Sequence, residues 1–492
     1  MHPARLRAPS LASHRPQTEQ EPMTDYSQDS LWKRSTAFFR EALRDNDEDF
    51  TVGPIGRALG LLAIPMMLEM AMESVFAVVD IAFVSRLGTD AVAAVGITEA
   101  LITVLYALAI GLGVGLTAMV SRRIGAKDNV GAANVTGQAI WVGALLSIVI
   151  GVAGVTYARD LLAIMGASDS VIELGKGFTA VLLGGSVSII YLFLLNAAFR
   201  GAGDATVALR SLWLANGINI ILDPCLIFGI GPFPEMGVTG AAVATTIGRG
   251  IGVIYQLWYL MNGRGRIAFQ FHNLRFQYAL ALRMIRISAG AVGQFLIATS
   301  SWIGIMRIVA IYGSSAIAAY TIALRMLEFV FLPAWGLGNA AATLVGQNLG
   351  ADKPERAEQS AWRAAKYNAI FMASAGIFMI IFAEGITGLF TNQSDVLRWG
   401  TSCLQILGVG FPMYAVGMVV VQAFNGAGDT ATPVTLNLIC FWLIQIPLAY
   451  WLATSMTLGP NGTFLAIVVS ESLLTILAVI MFRRGTWKLQ TV

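Results

Sequence analysis

Several acidic side chains lie inside long apolar stretches of the sequence, where an ionised group is costly. Glu69, Glu73 and Asp80 are spaced by four and then seven residues, so a helix of about 3.6 residues per turn places all three on one face. Asn219 and Asp223 are four residues apart and share a face in the same way. Acids kept in hydrocarbon usually mark an ion or substrate path. These oxygens therefore predict a pocket that suits a proton or a hard cation.

Two carboxylates in a partly dry pocket can share one proton, which is what a proton carrier needs. We therefore expect Asp80 and Asp223 to load a cation on the outside of a membrane and to release it inside. The alternative is structural, because a buried acid can instead pair with a basic side chain or cap a helix. Glu69 and Glu73 fit that structural role as well as they fit ion binding.

Basic and aromatic side chains in the apolar stretches leave similar alternatives open. Arg249 can neutralise an acid of the first half, and Arg325 can pair with Glu328 three residues later on one helix face. Substrate contact is the other interpretation of these charges. Bulky apolar residues can line a cavity for flat cations or simply pack in a core: Met66, Met70, Met72, Phe76, Phe295, Trp302 and Trp335.

The composition places these residues in a membrane protein. Of 492 residues, 56% are hydrophobic and 12% are charged, against about 25% charged in soluble domains. The net charge of +3 is not gathered on one face, which argues against nucleic acid as a partner. Three cysteines form no paired or metal-binding pattern, and all three histidines lie outside the apolar stretches. Motifs of metalloproteases, phosphate-binding loops and serine hydrolases are absent, so an enzyme is not expected.

The apolar runs are long enough to cross a membrane twelve times, since about 20 residues of helix span a hydrocarbon core of about 30 Å. The predicted spans are 58–84, 92–120, 134–157, 178–199, 207–230, 237–261, 280–311, 316–346, 362–384, 401–424, 434–455 and 461–482.

Lysine and arginine in the connecting loops predict the orientation, because cytoplasmic loops retain them. With the N-terminus inside, seventeen such residues fall in the cytoplasm, Arg200 and Arg210 among them. Four remain outside: Arg86, Arg159, Lys176 and Arg398. We therefore expect both termini to be cytoplasmic.

The two halves of the sequence match at an offset of 225 residues without any change of register. GTDAVAAV at 88–95 matches GSSAIAAY at 313–320, and FRGAGDAT at 199–206 matches FNGAGDTA at 424–431. Six spans separate matching points, so the repeat is parallel, with a pseudo-twofold axis along the membrane normal. This favours a central cavity and alternating access. Asp80 matches Ile305 at this offset, which assigns ion coupling to the first half.

The predicted fold is all-α, with twelve transmembrane helices in two six-helix bundles. The polar N-terminal segment has no apolar core of a signal peptide. Met23 reads like a second possible start, and 31–45 is predicted to be a short surface helix. The predicted regions are a partly disordered cytoplasmic segment 1–57, a first lobe 58–261, a linker 262–279, a second lobe 280–482 and a tail 483–492.

Several sequence motifs resemble those of the multidrug and toxic compound extrusion (MATE) family, in its prokaryotic form and its subgroup related to DNA-damage-inducible proteins. They are FAVVDIAFVSRLGTDAVAA at 76–94, FRGAGD at 199–204, NIILDP at 219–224 and LVGQNLGA at 344–351. The resemblance covers about residues 53–484. It implies two six-helix bundles that face a central cleft. It also implies export of organic, often cationic, compounds in exchange for protons or sodium ions across a bacterial inner membrane.

By this resemblance, Asp80, Asn219 and Asp223 are the cation-coupling residues and the expected ligands if the ion is sodium. Asn196 is similar to a polar partner in the fourth span, and Glu73 is grouped with the coupling residues. Thr245 is a further member from the sixth span, and Glu69, Phe76 and Arg249 are additional cleft residues.

The expected partners are a small organic substrate and membrane lipids, with no cofactor beyond the coupling ion, and the expected state is a monomer. A flippase for a lipid-linked sugar is the main alternative, because such proteins resemble this family in span organisation. They usually carry a more basic cleft. A passive channel is a further alternative, although the repeat of six spans in each half favours alternating access.

Overall fold

The computed structural model describes residues 31–45 and 48–492. Residues 1–30, which include Met23, lie outside the described residues, as do positions 46 and 47. All regular structure in the described residues is helical. The chain divides into one unit up to Glu41 and a second unit from Ala42 to Val492. Helix α1 extends over Leu31–Ala42, and all of it except Ala42 belongs to the first unit. The short helix predicted for 31–45 is therefore confirmed.

Seven helices form the first half of the large unit. They are α2 Ile55–Val84, α3 Thr89–Gly125, α4 Asn129–Ile164, α5 Asp169–Gly184, α6 Ser186–Ala202, α7 Ala205–Phe228 and α8 Val238–Met261. The second half contains α9 Tyr278–Val309, α10 Ser314–Gly350, α11 Pro354–Gly388, α12 Ser394–Ala427, α13 Ala431–Asn437, α14 Ile446–Tyr450 and α15 Pro460–Arg483. The segments Leu438–Gln445 and Trp451–Ser455 are π-helical, so the eleventh predicted span is a continuous but irregular helix.

Eleven helices in the described part of the chain are long and apolar enough to cross a membrane, and a bent pair brings the number to twelve. The pair consists of α5 and α6, which meet at 42°. The predicted fourth span, 178–199, is therefore incorrect in its extent, since it begins in the middle of α5. The longest helices, α3 and α10, have 37 residues, or about 55 Å, so they extend beyond the hydrocarbon core.

The bend between α5 and α6 lies at Gly185. A Cβ atom on this residue would lie 2.6 Å from the side chain of Thr246 on α8, so the close approach of α8 requires glycine here. The matching residue of the second half, Gly410, lies inside the continuous helix α12. Equal spacing in the two halves therefore gives a broken helix in one and an unbroken helix in the other.

The repeat predicted from the sequence appears in the helix boundaries. Helix α3 begins at Thr89 and α10 at Ser314, 225 residues later. Helices α4 and α11 begin at Asn129 and Pro354, again 225 residues apart. The two halves therefore share one architecture.

Contacts between the halves obey the same symmetry. A Cβ atom on Gly125 would lie 1.9 Å from the carbonyl oxygen of Gln347, and one on Gly350 would lie 1.9 Å from that of Arg122. Gln347 and Gly350 are the 225-offset equivalents of Arg122 and Gly125, so each helix offers the other the same surface, as a twofold contact requires. These crossings bring α3 and α10 together at one end of the bundle, which we call the closed end.

Residues 48–54, which precede α2 and which we call the strap, lie across the closed end. Toward the first half, Lys127 Nζ pairs with Asp49 Oδ2 at 2.5 Å. Toward the second half, Lys353 Nζ donates to the carbonyl oxygen of Thr51 at 2.9 Å. Arg356 donates to the carbonyl oxygens of Phe50 and of two further strap residues. Phe50 is 2% exposed, so the strap is packed between the two halves and holds them together.

Asp49 is the charged anchor of the strap. Burial alone would raise the pKa of Asp49, but hydrogen bonds from Lys127 and Thr51 outweigh it and lower the pKa to about 2. The carboxylate therefore stays ionised across the physiological range.

The predicted linker 262–279 contains a short 3-10 helix, Phe271–Leu274, and is tied to the first half. Asn273 Nδ2 donates to Asn134 Oδ1 at 2.7 Å, and Trp141 Nε1 donates to the carbonyl oxygen of Leu274 at 2.6 Å. The connection therefore packs on α4 over part of its length.

Candidate functional site

A cavity of about 520 Å³ lies between the two halves. Its walls come chiefly from α2, α3 and α10. Toward one end of the cavity, Glu99 and Arg325 are exposed, whereas Glu69 and Asn196 toward the other end are buried. The cavity therefore opens on the side where α2 ends at Val84 and is blocked on the side of the closed end.

The acidic face predicted for the first span is confirmed, because Glu69, Glu73 and Asp80 all line the cavity. Each of the three has different partners, so they form three levels along α2.

The outer level joins Asp80 of α2 to Asp223 of α7. The two carboxyl groups lie close enough to interact directly, so a proton or a cation between them would offset their mutual repulsion. Asn219 Nδ2 donates to Asp223 Oδ1 at 3.4 Å and to Thr245 Oγ1 at 3.0 Å. The structure thus brings together four residues that the sequence analysis grouped.

Three oxygen atoms at this level are buried and accept no hydrogen bond: Asp80 Oδ1, Asn219 Oδ1 and Asp223 Oδ2. A buried acceptor without a donor costs about 1–3 kcal/mol, so these oxygens favour an external proton or cation. The described residues contain no group of three or more His, Cys, Asp or Glu side chains that could hold a metal ion. A metal ion at this level would therefore be held by two carboxylates and an amide oxygen, ligands that suit a hard cation.

The middle level is an ion pair between Glu73 and Arg249 of α8. Arg249 Nη2 lies 3.4 Å from Glu73 Oε1, and Asn216 Nδ2 donates to Glu73 Oε2 at 3.1 Å. The guanidinium also lies over the rings of Phe76 and Tyr106, 5.7 Å and 5.6 Å from their centroids. The predicted pairing of Arg249 with an acid of the first half is confirmed, and the coupling role of Glu73 stays a prediction.

The inner level surrounds Glu69, which is 1% exposed. Its Oε1 accepts from Arg200 Nη1 at 2.7 Å and from Asn196 Nδ2 at 3.0 Å. Asn196 Oδ1 accepts in turn from Ser211 and Gln256. The structure therefore groups Asn196 with Glu69 and not with Asp80. This level is a buried polar network in which Glu69 Oε2 and Gln256 Oε1 accept no hydrogen bond.

The position of Arg200 corrects the sequence analysis, which counted it among cytoplasmic loop residues. Helix α6 continues to Ala202, and the Arg200 side chain is 13% exposed against Glu69. The apolar run ends before this residue, so hydrophobicity alone did not include it in the helix. The sequence did contain a signal for the pairing, because Glu69 lies within one predicted span and Arg200 directly follows the end of another.

In the second half, Arg325 Nη1 lies 3.5 Å from Glu328 Oε2, so the predicted ion pair is confirmed. The sequence analysis did not single out Glu99 on α3, which also lines the cavity. The rule that selected Asp80, an acid within an apolar run, would have found it. Among the bulky residues proposed for a cavity, the ones that line it are Met70, Phe76, Phe295 and Trp335. Met66 is fully buried, and Trp302 lines a separate, smaller pocket; Met72 lines neither.

Comparison with known proteins gives one consistent result. The MatE family model matches residues 65–225 and 291–451, once in each half. A FAD transporter of Shewanella oneidensis is 27% identical over 426 residues, which cover 86% of this chain and 93% of that protein. A probable multidrug resistance protein NorM of Thermotoga maritima is 26% identical over 443 residues, 90% of this chain and 95% of that protein. An outward-facing multidrug resistance MATE family transporter aligns with a TM-score of 0.84 at 26% identity, covering 92% of this chain and 98% of that one.

Proposed function

Since the chain belongs to the MatE family of multi-pass membrane transporters, we propose that it is a secondary antiporter that exports small organic, cationic compounds in exchange for protons or sodium ions. It works by alternating access, as a monomer in a bacterial inner membrane with both termini in the cytoplasm. Its relatives are transporters, and we expect the substrate to leave chemically unchanged.

The observation that carries this proposal is the Asp80–Asp223 pair on the cavity wall, with three unpartnered buried oxygens. A proton or a sodium ion would occupy this place when the cavity opens outward. The loaded ion offsets the repulsion between the carboxylates, and its release toward the cytoplasm restores a negative site. The inner two levels are already neutralised by Arg200 and Arg249, so they support the helix geometry around the pair.

The direction of opening follows from the predicted orientation. The loops and helix ends at the closed end carry Lys127, Lys353 and Arg356, and basic residues that flank spans favour the cytoplasmic side. The cavity then opens to the outside. A related transporter is described as outward-facing, which supports the same assignment.

The charges that line the cavity support a cationic substrate. Its acids are Glu69, Glu73, Asp80, Glu99 and Glu328, and its bases are Arg200, Arg249 and Arg325. This acidic excess disfavours an anionic substrate, although one relative is named a FAD transporter. It also disfavours a flippase for a lipid-linked sugar, since the phosphate of such a lipid calls for a basic cleft.

The test is efflux of ethidium from proteoliposomes that contain the purified protein, with a pH gradient and a sodium gradient imposed separately. We expect uphill efflux with one gradient and its loss in Asp80→Asn and Asp223→Asn. The matched control is Asp90→Asn, because Asp90 is exposed near the start of α3 and does not line the cavity. Thermal unfolding in detergent checks that each variant is folded.

Retained uphill efflux in Asp80→Asn would refute the role of the carboxyl pair. Efflux only down the ethidium gradient would indicate a channel. Absence of ethidium transport under either gradient, together with movement of a fluorescent lipid-linked sugar, would favour the flippase.

A further inference from the structure

Glu99 differs from every other carboxylate in the cavity. Glu69 pairs with Arg200, Glu73 with Arg249 and Glu328 with Arg325, and the Asp80 carboxyl meets that of Asp223. Glu99 makes no ion pair within 4.0 Å among residues 31–45 and 48–492, and its side chain is exposed.

The surroundings of Glu99 suit an organic cation. Thr103 and Tyr106 follow it by four and seven residues on α3 and line the same cavity, so the three share a helix face. Phe295 and Trp335 of the second half line the same cavity, with ring centroids 5.3 Å apart. A cavity lined by aromatic rings and a carboxylate can attract an organic cation through the ring quadrupoles and through the full negative charge.

Two of the charged groups that act on Glu99 lie on the other half of the molecule. They are Arg325 and Glu328 of α10, which pair with each other and so leave little net charge. Glu99 also acts on Asp80 by Coulomb repulsion. A cation held at Glu99 would therefore make the Asp80 site less negative and ease the release of its ion.

We propose that Glu99 is the carboxylate that contacts the cationic group of the transported compound. This inference rests on the proposed function, which it deepens by separating the substrate contact at Glu99 from the ion site at Asp80. The aromatic residues supply the apolar contact, and Glu99 supplies the charge.

Equilibrium binding of ethidium to the purified full chain in detergent, followed by fluorescence, tests the contact without any gradient. We expect Glu99→Gln to raise the Kd about tenfold, which corresponds to a lost interaction of about 1.4 kcal/mol. Glu99→Asp keeps the charge and should retain most of the affinity. Asp90→Asn, on the same helix outside the cavity, should bind like the wild type.

Ethidium efflux under the driving gradient separates this contact from the ion site. At saturating ethidium, Glu99→Gln should keep a maximal rate within about twofold of the wild type while its KM rises by about the factor seen in binding. Asp80→Asn should lose uphill efflux but still bind ethidium.

Equal Kd values for the wild type and Glu99→Gln would overturn the inference while leaving the antiporter proposal intact. Binding by the wild type without transport would overturn the antiporter proposal, and the Kd series would still decide the role of Glu99. Failure of the wild type to bind ethidium would overturn both. If Glu99→Gln does not fold, Glu99→Ala takes its place. A Kd and a KM of Glu99→Ala that both equal those of the wild type would overturn the inference.

Discussion

Replacing Gly125 with alanine should weaken the contact between α3 and α10 at the closed end. The new Cβ would lie 1.9 Å from the carbonyl oxygen of Gln347, whereas ordinary contacts begin at 3.4 Å. The obstructing atom belongs to the backbone of α10 and cannot turn aside. The two helices must therefore separate locally by about 1.5 Å, or the halves must move apart.

The size of the effect follows from the usual cost of overpacking, about 1–3 kcal/mol. That cost falls only on the conformation in which the closed end is shut, because the contact exists only there. The ratio of shut to opened molecules should then decrease by about 5- to 150-fold. Gly350→Ala should act equally, since its Cβ would meet the carbonyl oxygen of Arg122 at the same 1.9 Å.

Distances between spin labels across the closed end measure this shift. Val130 and Glu355 are exposed, lie at equivalent places near the starts of α4 and α11, and can carry the labels. The three native cysteines, Cys225, Cys403 and Cys440, are replaced first. Double electron–electron resonance should then show a longer-distance population in Gly125→Ala that is minor in the parent protein.

The matched control is Gly96→Ala, on the same helix α3, where a Cβ would meet nothing within 4 Å. It measures the general gain in helix propensity from glycine to alanine, about 1 kcal/mol. An unchanged distance distribution in Gly125→Ala, or the same change in Gly96→Ala, would refute the reasoning about the glycine contact.

The remaining predictions concern stability in detergent. Arg200→Met should lower the free energy of unfolding by about 3–5 kcal/mol because it leaves the buried Glu69 without its cationic partner. Denaturant unfolding should show that adding Glu69→Leu restores part of this stability. If the losses of the two single variants simply add in the double variant, the pairing is contradicted. Phe50→Ala should cost about 3–5 kcal/mol by emptying the site of a ring that is 2% exposed; an unchanged unfolding midpoint would show that the strap is not bound. With the pKa of Asp49 lowered to about 2, its pairing with Lys127 should stabilise fully above about pH 4 and vanish as the pH falls through 2. Thermal unfolding of the wild type and Asp49→Asn should therefore converge at that low pH.

Much of the fold could be predicted because the bilayer sets a length and the helix sets a period. About 20 apolar residues per span located the helices, and the spacing of Glu69, Glu73 and Asp80 placed them on one face of the cavity. The 225-residue offset predicted equivalent helices, and the boundaries of α3 and α10 obey it to the residue. These features depend on local sequence.

The partners of the acids could not be predicted in the same way. Whether Asn196 lies against Glu69 or Asp80 depends on how deep α6 sits beside α2, which hydrophobicity does not determine. The bend at Gly185 is a similar case, because Gly410 occupies the equivalent place without breaking its helix. The partner of Asn196 and the bend at Gly185 both depend on the neighbouring helix; at Gly185 this is α8, which contributes Thr246.

The strap also bears on how the chain is made. Thr51 and its donor Lys353 are 302 residues apart, so at about 5–20 residues per second the strap waits about 15–60 seconds for that partner to be synthesised. During this time only earlier residues, such as Lys127 of the first half and Arg266 of the linker, can hold it. The first half must therefore insert and persist while its part of the closed end is incomplete, and docking of the second half onto the strap is a late step of biogenesis.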